Sequence, residues 1–143
     1  PSHMWTDREL VSRHLPAELR DSAYPLADLW KCGANICFGS DAPVEGPDPL
    51  KGLLAAVHRR VGEDEAWNAA QCLSLHQALE AHTTNPARLP RAPGAGELRV
   101  GLPADLIVLA VDPQEIVDSP DQDPGGGWPT DLTFLEGRCV YQR

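Results

Sequence analysis

Through residues 1–90 the apolar positions recur mainly at the three- and four-residue intervals that give a helix one buried face. Leu10, Val11 and Leu15 lie on one side of residues 7–15, where Asp7 suits an N-cap and Pro16 a stop. The pattern returns over residues 24–32, with Leu26, Leu29 and Trp30 together and Gly33 placed for a left-handed C-cap. Residues 49–60 predict a third helix: Pro49 fits its first turn, and Leu50, Leu53, Leu54 and Val57 form its stripe. Lys51, His58, Arg59 and Arg60 should then face solvent, and Gly62 should close the helix. Ser74-Leu75-His76-Gln77 matches a capping box and opens a helix through Ala78, Leu79 and Ala81 to about His82. Thr84-Asn85-Pro86 begins one more turn, with Asn85 as cap and Pro86 at the first position.

One stretch breaks the helical rhythm. Residues 35–39 form a short apolar run bounded by Gly33 and Gly39, which predicts a strand buried on both faces in a parallel sheet. Helix, tight turn and buried strand make one arm of an α/β unit. At Pro90 the character changes, because Pro90, Pro93, Gly94 and Gly96 form a breaker-rich link; a boundary there divides the chain into 1–90 and 91–143. Beyond it Leu106-Ile107-Val108-Leu109 reads as a strand, and Leu132-Thr133-Phe134-Leu135 with Arg138-Cys139-Val140-Tyr141 as a hairpin around Glu136-Gly137. Residues 118–129, with Gly125-Gly126-Gly127, should form an exposed loop.

Composition narrows the class. At 143 residues the chain is long enough for one domain, and 42% hydrophobic against 23% charged residues is a soluble, globular balance. No apolar run approaches the ~20 residues of a membrane span, so no membrane partner is expected. Twelve Lys and Arg against 21 Asp and Glu give a net charge of −9, and the cations are scattered, which argues against nucleic acid as a partner. Cys32, Cys37, Cys72 and Cys139 form neither a C-x-x-C pair nor a zinc-ribbon spacing; reduced thiols of a cytoplasmic protein are expected. The start has no signal-peptide pattern. Ser2-His3-Met4 could be left by an expression vector, and the chain otherwise opens in mid-motif, so the native N-terminus is expected to lie further upstream.

Phe38-Gly39-Ser40-Asp41-Ala42-Pro43-Val44 carries the clearest chemistry. It puts a carboxylate just past the C-terminal end of the expected buried strand, the edge at which α/β sheets and barrels build active sites. Small neighbours leave room for a ligand or metal, and Pro43 stiffens the loop. A plainer reading, in which Asp41 only caps the next turn, stands beside it on position alone. His14, His58, His76 and His82 fall on expected helices, where surface or helix-end placement explains them. Trp5, Trp30, Trp67 and Trp128 read as core, interface or lid aromatics, and Glu63-Asp64-Glu65 as a solvated face.

Several short motifs come in a telling order: Pro1-x-His3-x-x-x-Asp7; Gly39-Ser40-Asp41-x-Pro43 with Asp48-Pro49; Gln77-Ala78-Leu79 with Thr83 or Thr84; Asn85-Pro86-Ala87; and Gly96-x-Leu98-x-x-Gly101-x-x-Ala104-Asp105-Leu106 with Leu109. Together, over about residues 1–143, they resemble the end of the amidohydrolase superfamily, specifically amidohydrolase family 3. The resemblance implies an α/β fold: the C-terminal portion of a (β/α)8 TIM-like barrel, with its last strands in residues 1–90, plus C-terminal strands of a small β-sandwich in 91–143. It implies one or two divalent metals, zinc first among them, in the full-length protein.

By the same resemblance Asp41 matches the aspartate that ends barrel strand eight, which contacts the metal and moves a proton from the attacking water to the leaving nitrogen. His3 matches a histidine at the end of strand seven that lies near the substrate without ligating metal; a vector residue or a helix-start histidine are its other readings. Asp105 belongs to the sandwich. The His-x-His pair and the two further histidines that such enzymes use have no counterpart here, so this chain alone is expected to bind no metal tightly. The implied function is metal-dependent hydrolysis of a C–N bond in a small-molecule amide, cyclic amide or N-acyl group, with this chain an inactive C-terminal fragment. The alternative is a non-catalytic module that associates with another chain supplying the rest of the barrel. Because residues 35–39 would be an exposed edge without barrel neighbours, a missing N-terminal barrel segment or a homo-oligomer is expected as partner.

Overall fold

A computed structural model describes residues 1–60, 64–89, 94–119 and 128–143. The first helix, α1 (His3–His14), starts four residues earlier than its apolar pattern predicts, so Asp7 lies inside it instead of capping it. Ser2 holds the N-cap position without a side-chain bond, and Leu15 turns extended ahead of Pro16 as a residue before proline should. Only Met4 and Val11 of α1 are buried. A single turn, α2 (Ala17–Arg20), follows.

Three helices make the core. They are α3 (Leu26–Lys31), α4 (Pro49–His58) and α5 (Leu75–His82), which bring together Leu26, Leu53, Ala56, Leu73 and Ala78. The end of α3 closes as expected around Gly33, whose N–H donates to the carbonyl of Trp30 while that of Ala34 donates to Leu29. Asp48 caps α4 by accepting from the Leu50 N–H at 2.9 Å. The capping box of α5 is complete: Ser74 Oγ accepts from the Gln77 N–H at 3.2 Å, and Gln77 Oε1 from the Ser74 N–H at 2.9 Å. Gln71, buried just before α5, grips α3 from the side, bonding both the N–H and the carboxylate of Asp28.

Two residues at the C-terminal end of α4, His58 and the C-cap Arg59, do not face solvent as expected. Arg59 is 1% exposed. Its left-handed C-cap backbone (φ 51°) turns the chain, and its guanidinium donates to the carbonyls of Trp67 and Tyr24 at 2.7 and 3.1 Å while lying 5.5 Å from the Trp67 ring. Peptide dipoles and an aromatic face thus replace water around the charge. His58 is half-buried, its Nε2 2.9 Å from the carbonyl of Val117. Gly62, the expected helix stop, lies outside the described residues.

Residues 35–39 are not a strand. Ile36 and Phe38 are half-buried, Asn35, Cys37 and Gly39 are exposed, and no parallel sheet occurs among the described residues. A strand is defined by the neighbour that pairs its backbone. Here the Phe38 N–H goes instead to the carbonyl of Ala81 at 2.8 Å, and the Ile36 carbonyl accepts from the Asn85 amide at 3.1 Å. Asn85 is buried within α6 (Thr84–Ala87), with Thr83 at the cap position expected for it. In this way α5 and α6 together hold the segment that leads to Asp41.

The C-terminal part matches its expected strands closely. The strands β1 (Leu106–Leu109), β2 (Thr130–Leu135) and β3 (Arg138–Gln142) form an antiparallel sheet in that order, making the chain a mixed α/β protein. Glu136 and Gly137 both take positive φ, 50° and 77°, as a two-residue hairpin turn requires. Every residue of β3 is exposed. Between β1 and β2 an unforeseen helix, α7 (Pro113–Asp118), repeats the cap chemistry of α4, with Asp112 accepting from the Gln114 N–H ahead of a first-turn proline. Its Val117 is buried in the helical core, against which Trp128 also packs. Pro90 and Pro93 of the expected link and Gly125-Gly126-Gly127 of the expected loop lie outside the described residues.

Candidate functional site

The site is built where the segment leaving Phe38 meets the first turn of α1. Asp41 holds a left-handed backbone (φ 59°), uncommon for a residue with a side chain and tolerated by Asp. Its carbonyl accepts from the Val44 N–H at 2.9 Å, while Ser40 Oγ accepts from the Ala42 N–H at 3.3 Å. The turn is therefore closed by the backbone and by Ser40. Among the described residues the Asp41 carboxylate caps nothing, and its side chain is 72% exposed.

His3 stands opposite. Its Nε2 lies 3.7 Å from Asp41 Oδ2, too far for a direct hydrogen bond, and is buried without a hydrogen-bond partner among the described residues. The two site residues expected from the sequence thus come together, 38 positions apart, with a free acceptor on one side and an unsatisfied ring nitrogen on the other. Such a pair can take up a proton and orient a polar group.

The residues just before them, Ser2 and Ser40, line a separate cavity of about 200 Å³ with Phe38, Asp48, Gly52 and His82. His82 packs its ring edge-on against Phe38 at 5.2 Å and places Nδ1 2.9 Å from the Ala78 carbonyl. Burial holds its pKa below the usual imidazole range.

No group of three or more His, Cys, Asp or Glu side chains able to hold a metal ion occurs among the described residues. One carboxylate and one imidazole fall short of the donor set of a catalytic divalent metal, so these residues alone do not fit such an ion. The other expected histidines stay apart: His76 lies 3.8 Å from Glu80 along its helix, and His14 is exposed at the end of α1. Asp105 is structural, its carboxylate accepting from the Glu136 N–H at 2.7 Å to pin the hairpin. All four cysteines are free. Asp64, beside exposed Glu65, lies 3.5 Å from Arg8; Glu63 lies outside the described residues. No helix among the described residues is long and apolar enough to cross a membrane.

Sequence reasoning missed Tyr24, whose hydroxyl donates to Asp7. The signal was half visible, because Asp7 follows His3 by four residues and so shares its helix face.

The amidohydrolase family model matches residues 1–141, and the chain belongs to that family. It is 28% identical over its whole length to "Putative amidohydrolase YtcJ" of Bacillus subtilis, covering 27% of that protein. It is likewise 28% identical over its whole length to a dihydroorotase of Latilactobacillus sakei, covering 39% of it. To a dihydroorotase of Brevibacillus brevis it is 35% identical over 85% of this chain and 32% of the relative. The chain thus spans well under half the length of these curated relatives. No solved structure matches it significantly.

Proposed function

We propose that this chain is the C-terminal part of a metal-dependent hydrolase that cleaves C–N bonds in small amides, with Asp41 as the proton-transferring carboxylate and a metal ligand, and His3 beside the substrate. The observation that carries the reading is the Asp41 carboxylate itself: exposed, unused by its own turn, and 3.7 Å from an unsatisfied His3 nitrogen. Asp41 accepts a proton from the attacking water and returns it to the leaving nitrogen, so the amine departs neutral. His3 orients the substrate carbonyl or its neighbouring polar group. Cyclic amides head the substrate classes, because three relatives bear the name dihydroorotase.

In this reading residues 1–90 are the last part of a TIM-like barrel, in which residues 35–39 would pair as a strand only against barrel neighbours outside these 143 residues. Residues 91–143 supply sandwich strands, and the protein is cytoplasmic. The remaining ligands of the divalent metal, zinc in the first instance, come from the rest of the barrel outside these 143 residues. The second reading is a non-catalytic module docking on another chain; both readings accommodate the lack of a three-ligand cluster among the described residues. Intact mass and elemental analysis of the natively purified protein separate the two. A mass several times that of this chain, one or two divalent metals per chain and turnover of dihydroorotate, hydantoin or an N-acetyl amino acid support the hydrolase. A mass of 15.5 kDa without metal or turnover supports the module.

A further inference from the structure

We infer that Tyr24 is a positioning residue: its hydrogen bond to Asp7 sets the rotation of α1 and so aims His3 at Asp41. His3 and Asp7 lie four residues apart on α1, hence on one face, so whatever fixes one fixes the direction of the other. Asp7 accepts from the Tyr24 hydroxyl. The rest of α1 is held by buried Met4 and Val11 and by two exposed polar contacts, Thr6 donating to Glu45 at 3.4 Å and Arg8 3.5 Å from Asp64. Of these three polar contacts, the Tyr24–Asp7 bond is the part-buried one, and it lies on the face of His3.

Tyr24 is itself tied to the body of the protein on three sides. Its carbonyl accepts from the buried Arg59 guanidinium at 3.1 Å and from the Leu26 N–H at 2.8 Å, and its ring meets Trp67 edge-on at 5.9 Å. Its backbone is left-handed (φ 53°), a conformation that persists in a bulky residue only where the surroundings impose it. Burial and the neighbouring Asp7 push the phenol pKa up to about 12, so the hydroxyl remains a donor throughout the physiological range. The route from the rigid core to the site runs Arg59, Tyr24, Asp7, α1, His3.

The inference rests on reading His3 and Asp41 as working partners, but its test does not. In the intact protein, nuclear Overhauser contacts between the His3 ring and the Asp41 side chain report their approach. Contacts between Thr133 and Tyr141, paired in the hairpin, report that the molecules observed are folded. Tyr24→Phe should abolish the His3–Asp41 contact and leave the hairpin contact intact. Asp7→Ala, which removes the same bond from the other end, should do likewise if Tyr24→Phe folds poorly. Asp7→Asn keeps an acceptor and should restore the contact. A residue that merely stabilises the fold would lower the folded fraction without moving His3 in the molecules that remain folded. Persistence of the His3–Asp41 contact in folded Tyr24→Phe or Asp7→Ala overturns the inference, whereas full turnover by Asp41→Asn in the intact protein would overturn the hydrolase reading instead.

Discussion

The helices α4 and α5 and the loop that carries Asp41 adjoin in space and are held by opposite means. Leu53, Ala56 and Ala78 are at most 1% exposed, and both helices start from side-chain caps. The loop after Phe38, by contrast, packs little: Asp41, Ala42, Pro43 and Val44 are all exposed, and short-range bonds from Ser40 and Asp41 set its shape. On the proposed reading, stability and chemistry therefore occupy different residues. The helices supply a rigid mount, through the Phe38 to Ala81 and Asn85 to Ile36 bonds, while the loop leaves a charged side chain free to react.

Substitutions should divide along that line. The largest loss of stability is expected for Leu53→Ala, about 2–5 kcal/mol, because the site is enclosed by α3, α5 and α7 and cannot collapse easily. Denaturant midpoints would measure it; a loss well below that range would mean the helical core is looser than its burial implies. A smaller effect is expected from acid. His82 stays neutral in the fold because burial lowers its pKa below the ordinary 6.5, so on acidification the unfolded chain takes up the proton first. Its contribution is complete above roughly pH 7, begins to be lost as pH falls below about 6.5, and goes on falling until the lowered folded-state pKa is passed. Melting temperatures across that window should fall less steeply for His82→Gln than for the parent. The smallest effect is expected for Asp41→Asn, within about 0.5 kcal/mol, since the side chain is exposed, caps nothing, and asparagine is at home in a left-handed backbone.

How far the sequence could be read follows the same division. Elements that carry their own local instructions were legible: the Ser74 capping box, the Pro49 start of α4, the Glu136-Gly137 turn and the strands around it. Asp112-Pro113 gave the same start signal as Asp48-Pro49, yet α7 escaped notice because only Ile116 and Val117 mark its apolar side. Arg59 was misread because helical spacing alone cannot show that a left-handed cap will turn a guanidinium inward. Residues 35–39 were misread for a related reason: an apolar run becomes a strand only beside a neighbour, and among the described residues it has none. At the site, Asp41 and His3 were visible as residue types in family motifs. Their 3.7 Å approach was not, since it depends on the rotation of α1 and hence on the Tyr24–Asp7 bond.

The most direct test of the account is the turnover number of Asp41→Asn in the intact, metal-loaded protein, measured with the best of dihydroorotate, hydantoin and N-acetyl amino acids alongside a melting curve. If Asp41 moves the proton, kcat should fall roughly 10²- to 10⁴-fold at full metal occupancy while the melting curve shows the protein still folded. Turnover equal to that of the parent protein would contradict the account and leave Asp41 as an exposed turn residue with no part in the reaction.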